Sequence, residues 1–177
     1  MNYATIKKND IANGPGIRVS LFVSGCTHRC PGCFNAEAWD FAYGEVFTHE
    51  VEESILRALE PGYVEGLTLL GGEPMEPENQ AVLLPFVRRV KERYPNKTVW
   101  CYSGYTLEQL LDPTCRAHTA DTAALLALFD VLVDGRFEQD KKDIRLRFRG
   151  SSNQRIIDLP ATLSAGDIRI KEWGDFT

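Results

Sequence analysis

Three cysteines stand close together near the N-terminus, in the run CTHRCPGCF. Cys26, Cys30 and Cys33 form a C-x3-C-x2-C triplet directly after an apolar, strand-like segment. Three thiolates at this spacing can ligate three corners of a [4Fe–4S] cluster and leave the fourth iron without a protein ligand. Metal sites with an open coordination position carry out chemistry, whereas closed sites mostly hold structure or pass electrons. The triplet therefore predicts an enzyme with a reactive metal centre.

The spacing alone leaves two other roles for these cysteines open. A disulfide framework is disfavoured, because five cysteines in 177 residues leave one thiol over. A structural zinc site is a stronger alternative, with His28, Cys101 or Cys115 as the fourth ligand. Zinc sites usually combine two C-x2-C pairs, or one such pair with two histidines, and no second pair is present here. Inert or redox-active thiols are the other alternative, and the spacing favours the cluster over both.

Composition indicates a globular chain and excludes two classes of partner. Hydrophobic residues make up 44% of the sequence, and the length suits one domain over 1–177. A net charge of −5 argues against nucleic-acid binding, and no stretch approaches the roughly 20 apolar residues that span a membrane. The N-terminal residues 1–10 contain no apolar signal core. With cysteines that are expected to be reduced, the predicted location is the cytoplasm.

The hydrophobic pattern alternates between strand-like and helix-like runs. Strands are expected at 17–23, 67–70, 98–102 and 131–133, and helices at 48–60, 78–93, 107–111 and 122–129. Thr48 is expected to cap the first helix, and Pro85 is expected to kink or split the second. Alternating strands and helices pair in parallel through right-handed crossovers. Four such units are too few for a closed barrel of ~250 residues, so the predicted fold is α/β, an open or partial parallel β/α barrel.

The chemically suggestive loops all follow predicted strands. The cysteine loop follows the first strand, and the loops 71–74, 103–105 and 134–137 follow the other three in turn. Ligands of α/β sheets bind at the carboxyl ends of the strands. We therefore expect these four loops to share one site.

Several motifs carry a resemblance to a known family. The cysteine triplet followed by Phe34, with Gly71-Gly72-Glu73-Pro74 one βα unit later, resembles the radical S-adenosylmethionine (SAM) enzymes. The run NGPGIR at 13–18 resembles the Gly-Pro-Gly segment of glycyl-radical activating enzymes. The runs CFN at 33–35, LVDGRF at 132–137 and RGSSNQR at 149–155 are similar to the activating proteins of anaerobic ribonucleotide reductases. The resemblance covers about 9–155, and it implies a partial barrel of the radical SAM type.

The resemblance implies a [4Fe–4S] cluster on Cys26, Cys30 and Cys33, with SAM chelating the fourth iron. One electron from the cluster would cleave SAM, and the resulting radical would take a hydrogen from a glycine of the anaerobic ribonucleoside-triphosphate reductase. The other implied SAM-contacting residues are Gly32, Cys33, Phe34, Gly71, Gly72, Glu73, Ser103 and Asp134.

Each of these roles has a plainer alternative. The two glycines bring backbone close to SAM, and Glu73 accepts from its ammonium; alternatively, this is a tight strand-to-helix turn. Phe34 contacts the adenine region or packs in the core. Asp134 contacts the ribose or a cation near the SAM carboxylate, or is an ordinary turn aspartate. His28 is expected to be a solvated loop residue.

Basic residues are concentrated in the segment 136–155, which holds seven Lys and Arg residues in an otherwise acidic chain. Ile144-Arg145-Leu146-Arg147-Phe148-Arg149 alternates strictly, which predicts a strand with one apolar face and one arginine face. That face is a solvated sheet edge, a docking surface for an acidic patch of the reductase, or a nucleotide-binding surface.

The residues and motifs leave other functions open. Within the same chemistry they are the activation of another glycyl-radical enzyme and a small-molecule radical SAM reaction; outside it, a zinc-binding or electron-transfer module. The resemblance further implies a flavodoxin-like electron donor, and a homodimer or a complex with a reductase dimer. The segment 156–177 is a C-terminal extension without an assigned role, and it contains a strand-like run at 168–173.

Overall fold

A single seven-stranded sheet organises the chain, and the computed structural model describes residues 1–172. The strands are β1 Asn2–Asp10, β2 Ile17–Val23, β3 Glu45–Val46, β4 Val64–Gly71, β5 Thr98–Ser103, β6 Val131–Asp134 and β7 Arg155–Asp158. The helices are α1 His49–Leu59, α2 Pro77–Arg93, α3 Leu107–Leu111, α4 Thr122–Leu126 and α5 Leu159–Ala165, with short 3-10 turns at Ala36–Trp39 and Gln139–Lys141. Within residues 1–172, no helix is both long and apolar enough to cross a membrane.

The centre of the sheet is parallel and its flanks are antiparallel. The strand order is β3-β1-β2-β4-β5-β6-β7, in which β2, β4, β5 and β6 pair in parallel. β1 pairs antiparallel with β2, and β7 antiparallel with β6, so the sheet is not closed. The predicted α/β class and the four parallel strands are confirmed. Both antiparallel flanks were missed, because β1 carries many polar residues and its pairing is a long-range property.

The helices cover one face of the sheet. Alternate strand residues, such as Leu69 and Leu132, join the large core cluster together with residues of α1 to α5. Thr48 accepts a hydrogen bond from the backbone N–H of Val51, which confirms the predicted cap of α1. α2 runs unbroken through Pro85, so the expected split is wrong. Pro85 is exposed, so water can satisfy the carbonyl that loses its helical partner.

The predicted strand at 144–149 is wrong. This stretch forms turns, and Phe148 adopts a positive φ of 56°. Phe148 packs edge-on against Trp100, with ring centroids 5.6 Å apart, and joins the smaller cluster of Trp100, Val131, Val133 and Ile156. The strand that the alternation predicts does not form. Burial of the Phe148 ring on the face of the sheet without helices stabilises the chain more than the local strand preference does. The three arginines therefore do not form one face.

Part of the C-terminal extension lies along β7. Ile157 and Ile170 form an antiparallel bridge, and Lys171 pairs with Asp158 at 2.8 Å. The strand-like run predicted at 168–173 is thus in part placed beside the last strand, and its last residue, Trp173, lies outside the described residues.

Candidate functional site

A cavity of about 410 Å³ lies at the carboxyl ends of the parallel strands. It is lined by residues of all four strand-end loops and by the segment 142–154, which forms one wall. Nine of the predicted site residues line it: Cys26, Cys30, Gly32, Cys33, Phe34, Gly71, Gly72, Glu73 and Ser103. The structure therefore brings together residues that are up to 77 positions apart in sequence, as the strand-end rule predicts.

Backbone amides surround the thiols of the triplet. The amides of His28 and Arg29 act to lower the pKa of the Cys26 thiol, and the amide of Phe137 acts in the same direction on Cys30. The amide of Asn35 donates to the Sγ of Cys33 at 3.4 Å. Hydrogen bonds to sulfur stabilise thiolates and help to set the reduction potentials of iron–sulfur clusters. This donor set fits a cluster-bearing loop.

The thiols need a metal to lose their protons. Burial, reinforced by the negative charge of Glu73, raises the pKa of Cys26 to about 12 despite the amide donors. Burial also raises the pKa of Cys30, although the Phe137 amide and the Arg136 charge oppose it. Without metal these two thiols are neutral at physiological pH, so binding iron would release protons.

The proposed fourth zinc ligands do not join the triplet. Both ring nitrogens of His28 are engaged, by Glu73 and by Arg136. Cys101 is fully buried in the main core, and Cys115 packs against that same core. A structural zinc site needs a fourth protein ligand beside the triplet, and these contacts leave none of the three candidates in that role.

Glu73 is buried at the cavity floor and its carboxylate is held at three points. Oε1 accepts from the Met75 amide at 2.8 Å, and Oε2 accepts from the Gly104 amide at 2.7 Å and contacts His28 Nε2 at 3.1 Å. An ionised carboxylate offers about four acceptor positions. One position is left for a ligand, which is compatible with the predicted contact to an ammonium group.

The two glycines before Glu73 bring their loop against the cysteine loop. The amides of Gly72 and Glu73 donate to the carbonyls of Val23 and Gly25, at 2.7 and 2.8 Å. A Cβ on Gly72 would lie 2.6 Å from the Gly25 carbonyl oxygen, and Gly71 has a φ of +111°. Gly71 and Gly72 therefore form the tight strand-to-helix turn that was the plainer alternative. The same two glycines also line the cavity. Their contact with SAM stays a prediction.

Phe34 and Ser103 both line the cavity but differ in exposure. Phe34 is 85% exposed, so core packing is wrong for this side chain. Ser103 is buried, and its hydroxyl accepts from the Tyr105 amide at 3.1 Å.

Asp134 does not line the cavity. It is fully buried, and its carboxylate binds Arg155 and the amide of Leu107. The predicted ribose contact stays a prediction, and the side chain is already committed to these partners.

Sequence reasoning missed two residues that hold the cysteine loop, His28 and Glu76. His28 is not a solvated residue: its side chain is 7% exposed and bridges Glu73 and Arg136. Glu76, fully buried, accepts from the backbone and the hydroxyl of Thr27 and pairs with Arg116. The position of His28 between two candidate ligands was the one available signal; its partners, 45 and 108 residues away, could not be read from local pattern.

Comparison with known proteins supports the iron–sulfur interpretation. Residues 12–157 match the model of the 4Fe-4S single cluster domain family. An anaerobic ribonucleoside-triphosphate reductase-activating protein from Pasteurella multocida is 48% identical over 158 residues, covering 88% of this chain and 96% of that protein. The chain belongs to this family of activating proteins. Members from Vibrio cholerae, at 44% identity, and from Enterobacteria phage T4, at 38%, each align with 88% of this chain and with 97% and 93% of their own lengths.

Membership of the activating-protein family confirms the resemblance read from the motifs. It also supports a 4Fe-4S cluster as the metal group, because the matched region contains the whole cysteine triplet. The cavity lined by those cysteines is the natural candidate for the active site of this family member.

Proposed function

We propose that this protein is a radical SAM enzyme that activates the anaerobic ribonucleoside-triphosphate reductase by generating its glycyl radical. The observation that carries the proposal is one cavity lined both by the three cysteines and by the Gly71-Gly72-Glu73 loop. A metal centre with three protein ligands and an adjacent polar pocket can bind a substrate at the open position. The names of the relatives point to the reductase as the target.

The residues divide the work between two loops. Cys26, Cys30 and Cys33 would hold a [4Fe–4S] cluster, with the surrounding amides stabilising the thiolates. Glu73 would accept a hydrogen bond from the ammonium of SAM. When bound, the cluster supplies one electron for reductive cleavage of SAM, whose adenosyl fragment takes a hydrogen atom from a glycine of the reductase.

The shape of the site suits a macromolecular substrate. The sheet is open, which we interpret as a partial barrel of the radical SAM type, and the segment 142–154 contributes to the lining of the cavity. A glycine-bearing loop of a partner could enter there. A flavodoxin-like protein is our proposed electron donor, and a dimer or a complex with a reductase dimer is our proposed assembly.

Electron paramagnetic resonance tests the proposal directly. Reconstituted protein should contain about four irons per chain, and with SAM, a reductant and the reductase it should give a glycyl-radical signal. Cys30→Ala should abolish SAM cleavage, whereas Cys115→Ala, a cysteine away from the cavity, should retain it. Cleavage by Cys30→Ala would contradict the three-cysteine cluster. A signal with another glycyl-radical enzyme but not with the reductase would redirect the target.

A further inference from the structure

His28 contacts all three of the other strand-end loops. Its Nε2 lies 3.1 Å from Glu73 Oε2 in the loop after β4. Its ring packs on Tyr105 in the loop after β5, at 4.3 Å between centroids. In the loop after β6, Arg136 donates to its Nδ1 at 3.0 Å and to its backbone carbonyl at 3.2 Å. A single side chain from the cysteine loop thus links the four strand-end loops.

The hydrogen-bond partners determine which ring nitrogen carries the proton. A guanidinium group only donates, so Nδ1 must accept from Arg136. Nε2 then carries the hydrogen and donates it to the Glu73 carboxylate, which only accepts when ionised. In this tautomer Nδ1 accepts from Arg136 and Nε2–H donates to Glu73.

In the loop after β5, Gly104 lies against the His28 ring. A Cβ on Gly104 would be 2.5 Å from Cδ2 and 2.6 Å from Nε2 of His28. The Gly104 amide donates to the same Glu73 oxygen that His28 approaches. Two donors from two loops thus converge on Oε2 and orient the carboxylate.

We propose that His28 is a positioning residue that couples the cysteine loop to Glu73. The inference rests on the proposed function, in which the cysteine loop holds the cluster and Glu73 receives the ammonium of SAM. Through its Nε2–H, His28 holds the carboxylate in place relative to the cysteines on either side of His28 in the chain. SAM binding, rather than cluster assembly, is the property that this contact controls.

Substitution of His28 by glutamine or by asparagine tests its contacts with Glu73 and with Arg136 separately. A glutamine amide nitrogen reaches about as far as Nε2, so His28→Gln keeps a donor for Glu73 and loses the acceptor for Arg136. An asparagine amide oxygen takes the place of Nδ1, so His28→Asn keeps the Arg136 contact and loses the Glu73 contact. His49→Gln is the matched control, because His49 lies on α1 with a side chain that is 69% exposed.

The experiment measures iron content, the SAM dissociation constant and the paramagnetic resonance spectrum of the reduced cluster with and without SAM. We expect His28→Ala and His28→Asn to keep wild-type iron and to weaken SAM binding roughly 10- to 100-fold, the usual range for residues that orient ligands. Both should also reduce the change that SAM causes in the spectrum. His28→Gln and His49→Gln should stay within about threefold of wild type, which is below that range.

Other outcomes overturn the inference in recognisable ways. Wild-type SAM affinity in His28→Ala would remove the coupling role and leave the proposed function intact. Equal loss of iron in the Ala, Asn and Gln variants would show that His28 only supports the loop. A wild-type protein that holds its cluster but does not bind SAM would overturn the proposed function, and this inference with it.

Discussion

Asp134 and Arg155 face each other directly across the antiparallel pair β6–β7, and their side chains form a two-point ion pair. Arg155 Nε lies 2.9 Å from Asp134 Oδ1, and Nη2 lies 2.5 Å from Oδ2. Asp134 is fully buried, while the Arg155 side chain is 31% exposed. The pair attaches the antiparallel flank to the last parallel strand, next to the loop 134–137 that borders the cavity.

Removing the arginine should destabilise the fold markedly. Arg155→Met leaves the Asp134 charge buried without its partner, which typically costs about 3–5 kcal/mol. We expect about 3 kcal/mol in the free energy of unfolding, measured by urea denaturation, because Arg155 is partly solvated. The double variant Asp134→Leu/Arg155→Met should recover part of the loss, since no buried charge remains. A single variant within about 0.5 kcal/mol of wild type would contradict this view of the pair.

The same arginine makes part of the stability depend on pH. It forms two hydrogen bonds with Glu108, and this contact lowers the pKa of that carboxyl from 4.5 to about 2. Because the folded pKa is depressed, the contribution is complete above about 4.5 and is lost as the pH falls towards about 2. Glu108 is largely exposed, so the contribution should stay below about 1 kcal/mol.

Glu108→Gln tests this dependence. Urea denaturation of both proteins at about pH 6 and about pH 3 gives the difference in stability at each pH. The difference should be larger at the higher pH and shrink at the lower one, because at about pH 3 the carboxyl is protonated in the unfolded wild type and folding must release that proton. A difference that does not change with pH would show that Arg155 does not perturb Glu108.

Gly72 provides a test of how the two cavity loops fit together. A Cβ there would lie 2.6 and 2.8 Å from the carbonyl oxygens of Gly25 and Ala38, so backbone must shift. Gly72→Ala should lower the free energy of unfolding by about 1–3 kcal/mol and reduce the iron held after reconstitution. Gly62→Ala is the control, because nothing lies within 4 Å of its added methyl group. Normal stability and iron content in Gly72→Ala would contradict the tight contact.

Local pattern predicted the parallel centre of the fold and the position of the site. The four strands follow from apolar runs, and the convergence of loops follows from parallel pairing, which places all carboxyl ends at one edge. The run 144–149 was mispredicted because Phe148 packs against Trp100. This contact joins distant parts of the chain, so local pattern does not predict it. Arg18 shows the same limit. It is fully buried within β2, and its guanidinium donates to Thr68 on β4 and to Thr98 on β5.

We propose that the mispredicted run contacts the reductase, though not through an arginine face. Arg149 lines the cavity and donates to the Gln154 carbonyl, so it belongs to the wall. Ile144 is 92% exposed and the Arg145 side chain 86% exposed, on the turn between the cavity-lining residues Lys142 and Leu146. Arg145 forms an ion pair with Asp143 at 2.7 Å in the same turn, and an apolar side chain beside this exposed ion pair suits a partner loop with apolar and charged residues.

Ile144→Ser/Arg145→Ser should therefore weaken activation of the reductase and spare the chemistry. We expect the reductase concentration needed for half-maximal glycyl radical to rise roughly tenfold, the effect of losing about 1.4 kcal/mol of binding free energy. SAM cleavage without the reductase should stay at the wild-type rate, because neither side chain lines the cavity. Tyr63→Ser alters an exposed aromatic residue beside the start of β4, away from the cavity at its other end, and should change neither measurement. If SAM cleavage without the reductase falls together with activation, the turn that carries Ile144 and Arg145 supports the cavity wall, and the reductase docks elsewhere.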